Sequence, residues 1–137
     1  MKDTQLQLTL PADKRYLSLI GACVQELCGT ISRLPAAASY NIELAVNEAV
    51  VNVITHAYHD DPSGVVQLTF VLRPTSLEIQ IRDWGRSFDV SAIPAPDLDE
   101  PHESGYGVYL IRQLMDRASY QPKTANGNLV TLIKHIP

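Results

Sequence analysis

Residues 43–58 read E-L-A-V-N-E-A-V-V-N-V-I-T-H-A-Y, and the fold turns on this stretch because a core-type helix pattern here carries a polar row. Ile42, Ala45, Val46, Ala49, Val53 and Ala57 recur at three- and four-residue steps, so one face of the helix packs on a core. Glu48, Asn52 and His56 follow at i, i+4 and i+8, on one slowly winding ridge able to converge on a single ligand. The Asn52 amide oxygen is a neutral hard ligand suited to Mg²⁺, an ion that keeps several waters and takes phosphate oxygens as further ligands. Glu48, one turn earlier, is placed to accept a proton from an attacking hydroxyl or water. Polar rows also line ordinary solvated helices, so the row acquires meaning only from the motifs that accompany it.

A chain of 137 residues with 45% hydrophobic and 19% charged residues suits one globular domain with a core of its own. The formal net charge of −4 provides no general field for nucleic acid, so no direct nucleic-acid partner is expected and any phosphate must be held by local groups. Cys23 and Cys28 share one expected helix and point apart, which disfavours a disulfide, and no metal-ligand spacing is present. The opening M-K-D-T-Q-L-Q-L-T-L has no apolar segment of signal-peptide length and nothing downstream approaches a membrane span; a cytoplasmic protein with no membrane partner is expected.

Along the chain, Gln5 to Leu10 alternates as a half-buried strand ended by Pro11. Asp13 caps a helix expected to run to about Arg33, with Leu17, Ile20, Val24, Leu27, Ile31 and Leu34 inward. After the central helix, H-D-D-P-S-G (59–64) is a turn, Val65 to Leu72 a strand, and Arg73 to Ser76 a turn into the alternating strand Leu77 to Asp83. Residues 90–104 hold three prolines and four acidic residues and read as a loop. Gly105-Tyr-Gly107 opens a third helix burying Val108, Ile111, Leu114 and Met115, and Asn126-Gly127 joins a last hairpin. The pattern predicts a two-layer α/β (α+β) sandwich: a mixed, largely antiparallel sheet with three helices on one face and solvent on the other.

Two further motifs fall at element ends. Asp83 and Gly85 sit where a strand ends: the carboxylate suits an exocyclic amine such as that of adenine, and the glycine admits close approach of a flat ligand. Gly105 and Gly107 at a helix start free backbone N–H groups to curl around phosphates, where the helix terminus adds partial positive charge.

In order and spacing the three motifs resemble those of the GHKL ATPase superfamily, whose ATP-binding domains share the Bergerat fold. Glu48-x-x-x-Asn52 with His56-Ala57-Tyr58 is similar to its N box, Asp83-x-Gly85-x-x-Phe88-Asp89 to its G1 box, and Gly105-x-Gly107 with Tyr109-Leu110-Ile111 to its G2 box. Among its members, the small stand-alone anti-sigma-factor serine kinases of bacterial partner-switching systems are the most similar, through E-A-V-x-N-x-I-x-H-A-Y, R-D-W-G-R-S-F-D and S-G-Y-G-V-Y-L-I.

The resemblance implies that Glu48 is the general base, Asn52 ligates Mg²⁺, Asp83 reads the adenine amino group and Gly85 permits its approach. It further implies that Gly105 and Gly107 cradle phosphates under a lid formed by Asp89 to Ser104, with Phe88, Tyr106 and Val108 lining the nucleotide site. Thr131, on the last hairpin, would support the adenine side through a water. His56 either shapes the phosphate end or packs as a hydrogen-bonded imidazole, and Trp84 either covers the base or serves as a core or interface aromatic. The lid carries no Lys or Arg, leaving Arg86 and Arg112 near its ends as cations. The implied function is an anti-sigma factor and ATP-dependent serine kinase acting on a STAS-domain anti-anti-sigma protein, holding a sigma factor and forming a homodimer through the N-terminal strand with Tyr16 and Leu17. The alternative is a nucleotide-binding switch that activates a partner phosphatase.

Overall fold

Alternation along the strand Ser76–Asp83 sets the inner and outer faces of the molecule. Leu77, Ile79, Ile81 and Asp83 are buried on one side, while Glu78, Gln80 and Arg82 are only half-buried on the other. The computed structural model describes residues 3–88 and the backbone of 106–137, with side chains from 110 onward in the second span. The expected lid, Asp89 to Ser104, and Gly105 lie outside the described residues.

Five strands form the sheet: β1 (Thr4–Pro11), β2 (Val65–Arg73), β3 (Ser76–Asp83), β4 (Arg117–Thr124) and β5 (Gly127–His135), in the order β1-β2-β3-β5-β4. The sequence reading allowed a mixed sheet, but every described pairing is antiparallel. The reason is topological. The chain leaves β3, crosses a helix, enters the far edge as β4, and a tight hairpin then returns β5 into the slot beside β3.

Three helices cover the inner face: α1 (Leu17–Gly29), α2 (Ala36–Asn52) and α3 (Tyr106–Leu114). The helix α2 lies centrally, packed on both others. Its expected stripe, Ile42, Ala45, Val46, Ala49, Val53 and Ala57, is buried in full, joined by Val50 and Ile54. These meet Ile79, Ile81, Leu68 and Leu132 from the sheet in one core.

Two helices differ from the sequence reading. The helix expected from Asp13 to Arg33 is a 3₁₀ turn, Lys14–Tyr16, followed by α1, which stops at Gly29. Asp13 does cap, its Oδ1 accepting Arg15 N–H at 3.0 Å, and at the far end Thr30 closes the last turn, its N–H and its hydroxyl both donating to Leu27 O, at 3.0 and 2.6 Å. The central helix widens after Asn52 into one π-helical turn, Val53–Ala57, with Tyr58 N–H donating to Val53 O at 3.2 Å. The ridge from Glu48 to His56 is therefore not uniformly α-helical, and such wide turns concentrate at functional sites.

Candidate functional site

Tyr58 ties that wide turn to the end of β3. Its hydroxyl donates to Val65 O at 2.7 Å and accepts Trp84 N–H at 2.9 Å, and Arg86 N–H donates to Ala57 O at 2.8 Å. A Cβ on Gly85 would lie 2.6 Å from Ala57 O and 2.8 Å from the Tyr58 ring. Gly85 is thus required by packing of the strand end on the central helix, a different reason from the close ligand approach expected of it. The consequence is positional: the segments bearing Asn52 and Asp83 are held together without a ligand.

Asp83 is fully buried. Its Oδ1 accepts from Asn128 Nδ2 at 2.9 Å and from Gly85 N–H at 3.0 Å, while its Oδ2 has no partner among the described residues. Burial pushes this carboxyl above its ordinary value, against the smaller opposing pull of the Asn128 and Gly85 hydrogen bonds. An unpaired buried carboxylate oxygen is costly, so the site presents a strong acceptor awaiting a donor. An exocyclic amine fits that chemistry.

Asn128, which the sequence reading did not single out, organises this end of the site. Its register partner across the sheet is Asp83. Besides donating to Asp83, it donates to Gly85 O at 3.1 Å, and its Oδ1 accepts from Ser87 Oγ at 2.6 Å and Lys123 N–H at 3.0 Å. Thr131 was the expected hairpin residue, but Val130 and Leu132 face the inner side, so alternation sends Thr131 to the outer face, opposite Gln80 and Ser119. Asn128 occupies the inward position instead; its place three residues earlier, right after the N-G turn, was the signal available.

A cavity of about 620 Å³ opens between α2, α3 and the β4–β5 hairpin. Ala49 and Asn52 line it from the central helix, Ser87 and Phe88 from the strand end, and Ile111, Val130 and Leu132 supply apolar surface. Glu48 and His56 are half-buried on the same helix but do not line it. His56 instead packs on Phe88, ring centroids 5.4 Å apart, so one ridge residue, Asn52, reaches the cavity directly. Gly107, Tyr106 and Val108 fall in the first turn of α3, their side chains outside the described set. Arg112 lines the cavity as a cation; Arg86 does not, and Lys123, missed in the sequence, does. Trp84 is 47% exposed with Nε1 donating to Asn126 Oδ1 at 3.1 Å, and it is not among the residues that line the cavity.

Among the described residues no cluster of three His, Cys, Asp or Glu side chains could hold a metal unaided. A divalent ion here would depend on the Asn52 oxygen together with phosphate oxygens and water, which is how Mg²⁺ is commonly held.

Residues 10–134 match the histidine kinase-like ATPase domain family. The chain is 34% identical over 151 aligned positions to the serine-protein kinase RsbW of Staphylococcus epidermidis, covering 99% of this chain and 91% of the relative. It is 32% identical to the anti-sigma F factor of Anoxybacillus flavithermus, covering 85% and 80%. A solved structure of the RsbU and RsbW domains of a Mycobacterium tuberculosis protein superposes with a TM-score of 0.70 at 19% identity, over 97% of this chain and 32% of that longer one, a likeness of fold. The antiparallel sheet, the buried acceptor beside the central helix and these matches agree: the chain belongs to the histidine kinase-like ATPase domain family, among its serine-protein kinase and anti-sigma factor members.

Proposed function

We propose that the chain is an ATP-dependent protein serine kinase that also serves as an anti-sigma factor, with residues 1–137 acting as one nucleotide-binding domain. The observation that supports the nucleotide reading is the buried Asp83, its Oδ2 without a partner among the described residues, joined through Asn128 to Ser87, which lines the same cavity as Asn52. Asp83 would accept the adenine amine, with Asn128 and Gly85 N–H holding its other oxygen. Asn52 would hold Mg²⁺, which supplies neutralisation of phosphate charge when bound. Gly105 and Gly107 would cradle the phosphates where α3 begins. Arg112 and Lys123 add positive charge at the cavity wall.

Glu48 lies one helical turn before Asn52, on the same ridge, and would take the proton of the acceptor serine hydroxyl as the phosphoryl group transfers. Catalysis of this kind rests chiefly on positioning and charge neutralisation. The acceptor is a STAS-domain anti-anti-sigma protein, and the added phosphate would meet a chain of net charge −4, weakening that complex and favouring exchange for the sigma factor. A homodimer fits the exposed Leu6 and half-buried Leu8 of β1 beside Tyr16 and Leu17. None of the described helices is long and apolar enough to cross a membrane.

The deciding experiment incubates the protein with Mg²⁺, γ-labelled ATP and STAS-domain proteins of its source, beside Glu48→Ala and Asp83→Asn variants. Label is expected on one serine of one partner, lost with Glu48→Ala while ATP still binds, and lost with Asp83→Asn because ATP does not bind. Tight ATP binding without transfer to any such protein would overturn the kinase reading in favour of a nucleotide-dependent switch.

A further inference from the structure

Tyr120 stands at the junction between the cavity and the Asp83 cluster. It lies on the edge strand β4, in register with Val130, and its ring lines the cavity. That ring stacks on Phe88 at 5.0 Å between centroids and 24° between planes, and its hydroxyl accepts Phe88 N–H at 3.3 Å. Burial pushes the phenol above its ordinary value and the Asp83 charge pushes it further, while hydrogen bonds with Phe88 N–H and the Ser87 hydroxyl pull it down. The hydroxyl sits among the groups that surround Asp83, and Tyr120 lines the cavity with one face of its ring covered by Phe88.

We infer that Tyr120 is a specificity-determining residue for the nucleotide base: its ring forms the aromatic wall of a purine slot, and its hydroxyl fixes that wall beside the Asp83 carboxylate. The inference rests on the nucleotide-binding reading above. Among the described lining residues the aromatic ones are Phe88 and Tyr120, stacked on each other, and the rest of the apolar wall, from Ile111, Val130 and Leu132, is aliphatic and offers no π-face. Stacking on an aromatic ring is worth enough to change affinity about tenfold and does not distinguish one base from another. Discrimination comes from Asp83, which accepts an amine and meets the carbonyl of a guanine unfavourably. Tyr120 serves both: the ring contributes affinity, and the hydroxyl keeps base and carboxylate aligned.

The test measures dissociation constants of wild type, Tyr120→Leu and Tyr120→Phe for ATP, GTP and Mg²⁺-tripolyphosphate, with thermal unfolding of each apo protein as the control for folding. Tyr120→Leu leaves a smaller apolar side chain on a half-buried edge strand and removes the ring. It is expected to weaken ATP about tenfold and leave tripolyphosphate unchanged. Tyr120→Phe is expected to keep ATP within about threefold and to lower the ATP-over-GTP preference by about the same factor, the worth of one net hydrogen bond. Unchanged ATP affinity in Tyr120→Leu, an equal loss toward tripolyphosphate, or a Tyr120→Phe variant as weak as Tyr120→Leu would overturn the inference while leaving nucleotide binding intact. A wild-type protein that binds tripolyphosphate but has no preference for ATP over it would overturn the base-binding reading itself.

Discussion

Asp83 and Asn128 sit opposite each other on antiparallel strands 45 residues apart in sequence, joined by a 2.9 Å hydrogen bond in a fully buried setting. The carboxamide and the Gly85 N–H together occupy one carboxylate oxygen, and the other has no partner among the described residues. Asn128→Ala would strand the Ser87 hydroxyl, Lys123 N–H and one lone pair of Asp83 together. A stability loss of about 1–3 kcal/mol is expected in urea unfolding, together with weaker ATP binding because the carboxylate is no longer held. Asn128→Asp should be worse than Asn128→Ala, since it sets two carboxylates side by side; the reverse order would contradict this role.

The bare oxygen also predicts a pH signature. Burial raises the folded-state value of Asp83 above the ordinary 3.8, so the native protein holds this proton more tightly than the unfolded chain. Its contribution to stability is present below the ordinary value and is lost as pH rises through the raised one. Asp83→Asn keeps Oδ1 for Asn128 and Gly85 and removes the ionisation. The stability of the variant relative to wild type should therefore climb as pH rises above about 4, measured by urea unfolding without nucleotide. A difference that stays flat with pH would refute the raised value.

Gly85→Ala tests why the glycine is there. The new methyl would meet the Ala57 carbonyl and the Tyr58 ring, and a loss of about 1–3 kcal/mol is expected from overpacking. Trimming the ring in a Gly85→Ala, Tyr58→Leu double variant should not restore wild-type melting, because the carbonyl is backbone and cannot yield. Full recovery would assign the constraint to Tyr58 alone.

Thr131→Val should change little. With its side chain on the outer face, ATP affinity is expected to stay at the wild-type value and stability within about 0.5 kcal/mol. A large loss of ATP affinity by titration calorimetry would return Thr131 to the site.

Short-range physics is written plainly in this chain. The stripe through Ile42 and Ala57, the alternation from Leu77 to Asp83 and the N-G hairpin turn each specify an element through local periodicity or turn chemistry, and all three occur as read. With those elements set, three helices on one face of an antiparallel sheet is the arrangement that buries every apolar face. The order and spacing of Glu48, Asn52, Asp83, Gly85, Gly105 and Gly107 likewise suffice to suggest a nucleotide site, because the first motif forms one ridge of the central helix and the other two are read at element ends where their groups are free to reach a ligand.

Tertiary contact decided what periodicity cannot express. Whether Asn128 or Thr131 supports Asp83 depends on strand register, and a shift of one residue exchanges the two faces of a sheet. Gly85 answers to the Ala57 carbonyl and Tyr58 ring, which lie more than 25 residues earlier and come near only after β3 docks on the central helix. Lys123 and Tyr120 belong to an edge strand with no motif of its own and reach the cavity because β5 carries that strand there. Asp83 takes its chemistry from burial, and burial belongs to the assembled layers: the same carboxylate at an exposed strand end would keep its water and its ordinary acidity.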